Sequence, residues 1–237
     1  MTNPEIHVSA SAGTLIDDVV SWLVRVTHDS IRDRGFAAWA LSGGTTPIPL
    51  YTRLGREPGL VPWSSVRLYL VDDRDVNPAD TLSNYGMIQR ALLDPLGIAP
   101  LGAFPWMTTA DPRAALARYR QHLSLLPRGS HYPQLDVTLQ GMGGDGHTAS
   151  VFPGSPQETS KDWVAYGPGP QANRFTLTLP LLAESRHVAF MVTGHDKAAR
   201  VRECVQDAHS VLPAAWLSRN ASGTVHWFLD AGSASLL

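Results

Sequence analysis

Leu139-Gln140-Gly141-Met142-Gly143-Gly144-Asp145-Gly146-His147-Thr148-Ala149-Ser150 closes a short apolar run and breaks it into a glycine-rich turn that carries one histidine. Glycines at 141, 143, 144 and 146 let the backbone reach positive φ and approach a ligand where a Cβ would obstruct it. Asp145 and His147 are the only titratable groups in the turn. A free imidazole titrates at about 6.5, so it can accept a proton at neutral pH and make a neighbouring water nucleophilic. From the turn alone, a histidine that merely bonds a backbone carbonyl remains the other reading. Positions 141 to 146 also satisfy Gly-x-Gly-x-x-Gly, but a dinucleotide site needs a long helix after the glycines and an acid ending a second strand about 20 residues later. Pro153, Gly154 and Pro156 interrupt the chain too early, and the polar stretch from Gln157 to Asp162 has no apolar strand before it.

Outward from this turn, short β-branched or aromatic runs alternate with segments of helical period, the pattern of an α/β fold with an open, largely parallel sheet sandwiched by helices. Leu15, Ile16, Val19, Val20, Leu23 and Val24 share one face of a first helix, and Phe36 to Leu41 reads as a fully buried strand. Val66 to Val71 is a second strand, with Asp72, Asp73 and Arg74 at its carboxyl end. Asn84 to Leu93 then carries a helical pattern with Ser83 or Asn84 as N-cap. Asp136 to Leu139 is the strand that enters the glycine turn. Ala189 to Thr193 is another, with Gly194 after it and Lys197 expected just inside the next helix. Arg174 to Leu179 alternates polar and apolar residues as a strand half exposed to solvent would, and Tyr166 to Pro170 reads as a surface loop near the mouth of a pocket. Each polar cluster follows a strand, and open α/β sheets bind ligands beyond the carboxyl ends of their strands, so these clusters are expected to converge on one pocket.

Leu41-Ser42-Gly43-Gly44-Thr45-Thr46-Pro47 leads from a strand through two glycines into a helix. Free N–H groups and the helix dipole favour an anion there, with hydroxyls of Ser42 and Thr45 as further donors. The lysine and the serine or threonine of a nucleoside triphosphate loop are missing, which points to a sugar phosphate or similar monoester. A tight turn with a capping threonine is the plainer alternative. Arg174 and Lys197 can complete a phosphate site, the first bidentately and the second as a point charge. Arg74, flanked by Asp72 and Asp73, is expected to be held by those carboxylates and aimed at an oxygen that gains negative charge, or else to belong to a network tying loops together.

The chain has 237 residues, 43% apolar and 17% charged, with a net charge of −2. That supports a sizeable core in one domain or two small ones, and no clean boundary or repeat is present. Scattered Lys and Arg provide no basic stripe for nucleic acid. Cys204 is the only cysteine, so it reads as a buried thiol in a reducing compartment, with no thiolate metal cage. The N-terminus has no basic n-region, and Asp17, Asp18 and Arg25 break the apolar stretch from Leu15 to Val26, so no membrane segment is expected and a cytoplasmic location is.

Taken in order, these motifs resemble the 6-phosphogluconolactonase family, relatives of glucosamine-6-phosphate deaminase, over nearly the whole chain. Leu41 to Pro47 resembles its phosphate loop, Asp72-Asp73-Arg74 with Ser83-Asn84-Tyr85 its acidic-acidic-Arg motif, and Gly141 to Gly154 its signature. Arg174 with Thr176 to Pro180, and Gly194 with Lys197, look like the remaining phosphate contacts. The sequence departs from the family pattern at Asp73, where glutamate is usual, at Gly144, and at Gln171-Ala172-Asn173.

The resemblance implies a Rossmann-like α/β sandwich forming a single domain over residues 1–237, a monomer or weak homodimer without cofactor or metal. It also implies hydrolysis of 6-phospho-D-glucono-1,5-lactone to 6-phosphogluconate in the oxidative pentose phosphate pathway. In that reading His147 is the general base, Asp145 orients it, Arg74 stabilises the oxyanion, Asp72 gives positional support, and Ser42, Gly43, Gly44, Thr45, Arg174 and Lys197 bind phosphate. The deaminase pattern continues after Gly-His with Ile-Ala-Phe-Asn-Glu-Pro, whereas this chain has Thr148-Ala149-Ser150-Val151-Phe152-Pro153. A non-catalytic sugar-phosphate sensor would normally carry a helix-turn-helix segment, and none precedes residue 36.

Overall fold

The computed structural model describes residues 3–97, 99–106 and 111–237. Its strands are β1 (Glu5–Ser9), β2 (Ala37–Leu41), β3 (Val66–Leu70), β4 (Asp72–Arg74), β5 (Gly102–Phe104), β6 (Val137–Gln140), β7 (Val164–Gly167), β8 (Arg174–Leu177), β9 (His187–Val192) and β10 (Thr224–Asp230). Seven of them form one sheet in the order β1-β10-β9-β6-β2-β3-β5, with every neighbouring pair parallel. Parallel strands need crossovers, and these are supplied by α1 (Ala12–Arg34), α2 (Ile48–Arg56), α3 (Asn84–Ile88), α4 (Asp94–Leu96), α5 (Pro112–Leu123), α6 (Leu179–Ala183), α7 (Ala198–Gln206) and α8 (Pro213–Asn220), which flank the sheet. Among the described residues no helix is long and apolar enough to cross a membrane.

Local signals set the long elements. Ser11 and Thr14 cap α1 reciprocally, each side-chain oxygen accepting the other's backbone N–H at 3.2 and 3.0 Å, and Gly35 ends the helix at φ +80°. Between them Leu15, Val19, Leu23 and Val26 form the buried face that packs over β1, β2 and β10. The run Ala37-Ala38-Trp39-Ala40-Leu41 is buried throughout, as a central parallel strand should be. Buried Asp136 ties β2 to the start of β6, accepting from the Ala38 N–H at 2.8 Å and pairing with Arg34. Cys204 is buried, as its sequence context predicts.

A second sheet, β4-β8-β7, is antiparallel and joins segments a hundred residues apart. It corrects the expectation for Arg174 to Leu179. Arg174 to Leu177 is buried on both faces, because the polar alternates Arg174 and Thr176 pair with Arg74 and Asp72 instead of meeting solvent. Of the two cap candidates it is Ser83 that caps α3, accepting from the Gly86 N–H at 3.1 Å. One boundary differs from expectation: Lys197 stands at the N-cap of α7, after a short turn from His195, instead of inside the helix.

Candidate active site

The carboxyl ends of β2, β3, β6 and β9 open onto one cleft of about 360 Å³, which the second sheet closes on one side. It gathers Ser42, Gly43, Gly44, Thr45, Asp72, Arg74, His147, Arg174 and Lys197 into a single lining. Asp145 does not line the cleft; it stands behind the histidine.

His147 is positioned by its own turn. The Asp145 carboxylate accepts from the His147 backbone N–H at 3.1 Å and lies 2.6 Å from Nδ1, while the Gly143 N–H donates to the His147 carbonyl at 2.9 Å. A carboxylate facing Nδ1 favours the tautomer that carries its proton there, which leaves the Nε2 lone pair free. Burial works to raise the Asp145 carboxyl, but the backbone and ring N–H groups of His147 outweigh it and hold it below the usual carboxylate range. The histidine side chain is 31% exposed, with Phe152 tilted against it at 4.5 Å. Gly143 is required for clearance, since a Cβ there would overlap the imidazole. Only Gly146 of the four glycines holds positive φ, at +83°. Ala149, on the cleft wall, holds φ +54° without being glycine, a strained conformation of the kind that clusters at functional sites.

The strand–Gly-Gly–helix loop is tied down by Tyr51, whose hydroxyl donates to the Ser42 carbonyl at 2.8 Å. No side chain caps α2, whose N-cap is Pro47, so the capping-threonine alternative is not realised and the loop's hydroxyls remain available to a ligand.

Arg74 is held differently from expectation. Its Nη1 donates to the Leu82 carbonyl at 3.0 Å and to the Asn84 amide oxygen, not to Asp72 or Asp73. Those carboxylates have other work. Asp73 accepts backbone N–H groups of Arg74, Asn84 and Tyr85 and so fixes the start of α3; burial pushes its carboxyl up to about 6 against the pull of those donors. Asp72 accepts from the Ser150 hydroxyl at 2.5 Å, linking β4 to the signature turn. Asn84, a cap candidate and a member of the family motif to which the sequence assigns no role, bridges the site: its amide nitrogen donates to the Asp72 carbonyl at 3.0 Å while its oxygen holds Arg74. Gly43 leaves room for that amide, which a Cβ would overlap. Gly43→Ala is therefore expected to dislodge Asn84, lower activity about tenfold or more, and cost about 1–3 kcal/mol of stability in a denaturant melt.

Arg74 and Arg174 are direct cross-strand partners in the β4–β8 register. Like charges so placed repel, and each arginine has a buried Nε with no hydrogen-bond partner among the described residues. Burial first, and then the Arg74 charge, pulls the Arg174 guanidinium below its usual range. Arg174 Nη2 donates to the Pro170 carbonyl at 2.9 Å, which brings the loop beyond β7 to the cleft. An anion is the group that would satisfy this arrangement.

A family model described as glucosamine-6-phosphate isomerases/6-phosphogluconolactonase matches residues 10–227. The chain belongs to this family. A 6-phosphogluconolactonase of Synechocystis sp. is 32% identical over 233 residues, covering 96% of this chain and 95% of the relative. The solved 6-phosphogluconolactonase of Trypanosoma brucei superposes with a TM-score of 0.89 at 30% identity, over 100% of both chains. A solved monomeric glucosamine-6-phosphate deaminase superposes with a TM-score of 0.81 at 20% identity, covering 98% of this chain and 100% of that one, which shows the shared fold. The relatives named 6-phosphogluconolactonase make the chain an enzyme of that group.

Proposed function

We propose that the chain hydrolyses 6-phospho-D-glucono-1,5-lactone to 6-phosphogluconate, with His147 as general base and without a metal. The observation that carries this reading is the shared cleft. A histidine backed by a carboxylate at 2.6 Å lines the same basin as an uncapped glycine loop and two opposed arginines. Relatives and structures of that enzyme name, about a third identical over nearly all the chain, support it.

The substrate's phosphate is held by the Ser42–Thr45 loop, Arg174 and Lys197, which tethers the lactone with its carbonyl toward His147. Nε2 of His147 takes a proton from water as the water oxygen bonds to C1, and the carbonyl oxygen becomes an oxyanion beside Arg74. Collapse reforms the carbonyl, breaks the bond from C1 to the ring oxygen, and returns the proton from His147 to that oxygen. Asp145 keeps the imidazole in the required tautomer and is a positioning residue. Asp72, bonded to Ser150 and Asn84, holds the cleft wall. A cytoplasmic location and one domain over residues 1–237 belong to the same reading.

The test follows lactone loss against its spontaneous hydrolysis in metal-free buffer. Acceleration that persists with a chelator is expected. Ammonia release from glucosamine 6-phosphate would instead favour the deaminase, and tight sugar-phosphate binding without turnover would favour a sensor.

A further inference from the structure

At the β1 edge of the large sheet, outside the cleft lining, three ligand-bearing side chains meet. Glu5 and His226 are register partners in the β1–β10 pair, and His7 lies two residues along on the same face of β1. Glu5 Oε2 is 3.1 Å from His226 Nδ1 and 3.7 Å from His7 Nε2, and the two imidazole nitrogens are 3.3 Å apart. A metal with tetrahedral bonds of about 2.1 Å spaces its ligands about 3.4 Å apart, so these atoms already occupy one face of such a polyhedron.

Hydrogen bonding leaves at least one edge of this triangle without complementary roles. A carboxylate oxygen accepts, and each imidazole nitrogen either donates or accepts. Three mutually adjacent atoms with two available roles must place like against like along at least one edge. A dication accepts all three lone pairs at once.

The surroundings suit a ligand set. His226 is buried against Trp22, whose ring lies 4.8 Å away, and Phe228 stacks on His7 at 4.5 Å, so both imidazoles are oriented by packing. The other nitrogen of His226, Nε2, lies 3.2 Å from Nδ1 of His187, an outer partner that fixes the ring. The side chains of His7 and Glu5 are 36% and 56% exposed, which leaves a remaining corner to water and an entry path.

We propose that Glu5, His7 and His226 form a site for a divalent first-row transition ion such as Zn²⁺, which clamps the edge strand β1 to β10. Two imidazoles and a carboxylate match the borderline donors that such ions select over Ca²⁺ or Mg²⁺. The site is independent of the proposed lactone chemistry, because none of its residues lines the cleft.

Untagged protein is titrated with Co²⁺ and Zn²⁺. One equivalent of Co²⁺ is expected to give intense visible bands of low-symmetry four-coordinate geometry. Saturating Zn²⁺ is expected to raise the melting temperature by roughly 5 °C. Glu5→Gln and His7→Ala, both at accessible positions, should abolish the bands, and His187→Ala should weaken Zn²⁺ binding about 10–100-fold. His147→Ala should leave binding unchanged. No saturable binding, binding that survives Glu5→Gln and His7→Ala, or binding lost in His147→Ala would each overturn the proposal, the last by moving the ion to the cleft.

Discussion

His147→Ala is expected to reduce kcat for the phosphorylated lactone by roughly 10²–10⁴-fold, the range that a positioned proton acceptor contributes. KM should change little, because the groups proposed to hold phosphate lie on the loop after β2, on β8 and at the start of α7, none of which the imidazole supports. The ring is 31% exposed and packs on Phe152, so its loss removes little core and the melting temperature should hold. Asp145→Asn separates orientation from chemistry. Its amide can face Nδ1 with a donor, which favours the opposite tautomer and places the lone pair away from the cleft. An intermediate fall in kcat with unchanged KM is therefore expected. Single-turnover rates with both variants decide the matter, and a fully active His147→Ala would remove the histidine from the mechanism.

The sequence made β2, β3, β6 and β9 of the large sheet and the residues after them legible because burial of parallel strands produces continuous apolar runs, and β2 and β9 are buried almost throughout, whereas β1, β5 and β10 carried no such reading. The antiparallel sheet was hidden for the same reason. Its polar residues face the cleft and one another, and a buried polar face imitates a solvent face in the alternation of Arg174-Phe175-Thr176-Leu177. The pairing of Arg74 with Arg174, separated by a hundred positions, exists only in the tertiary structure. The bridging role of Asn84 was not legible, because a cap candidate has an ordinary local explanation, while its bonds to Asp72 and Arg74 depend on how α3 docks. In the glycine turn the close approach is that of the His147 ring to Gly143, and of its four glycines only Gly146 takes positive φ. The turn's backbone strain, however, falls on Ala149, whose φ of +54° no propensity would assign to alanine.

Arg174→Met is expected to raise KM about 10–100-fold, because a charge-assisted contact to a dianion contributes about 1.5–3 kcal/mol. The proposed contact is to the phosphate, remote from C1, so kcat should fall less than KM rises, although some remote binding energy is used to orient the carbonyl. Inorganic phosphate, tested as a competitive inhibitor, should weaken in parallel. Arg174→Lys should recover only part of the affinity, since an ammonium cannot reproduce the two-pronged grip. Stability distinguishes this role from a structural one. Methionine keeps most of the side-chain volume that packs near Phe152, and it removes one of two like charges set opposite each other. Without ligand, the variant should therefore melt at the wild-type temperature or above it, while losing most of the protection that phosphate confers on wild type. A variant with lowered stability and an unchanged KM would show that Arg174 braces β8 against β4 and that the phosphate is held elsewhere.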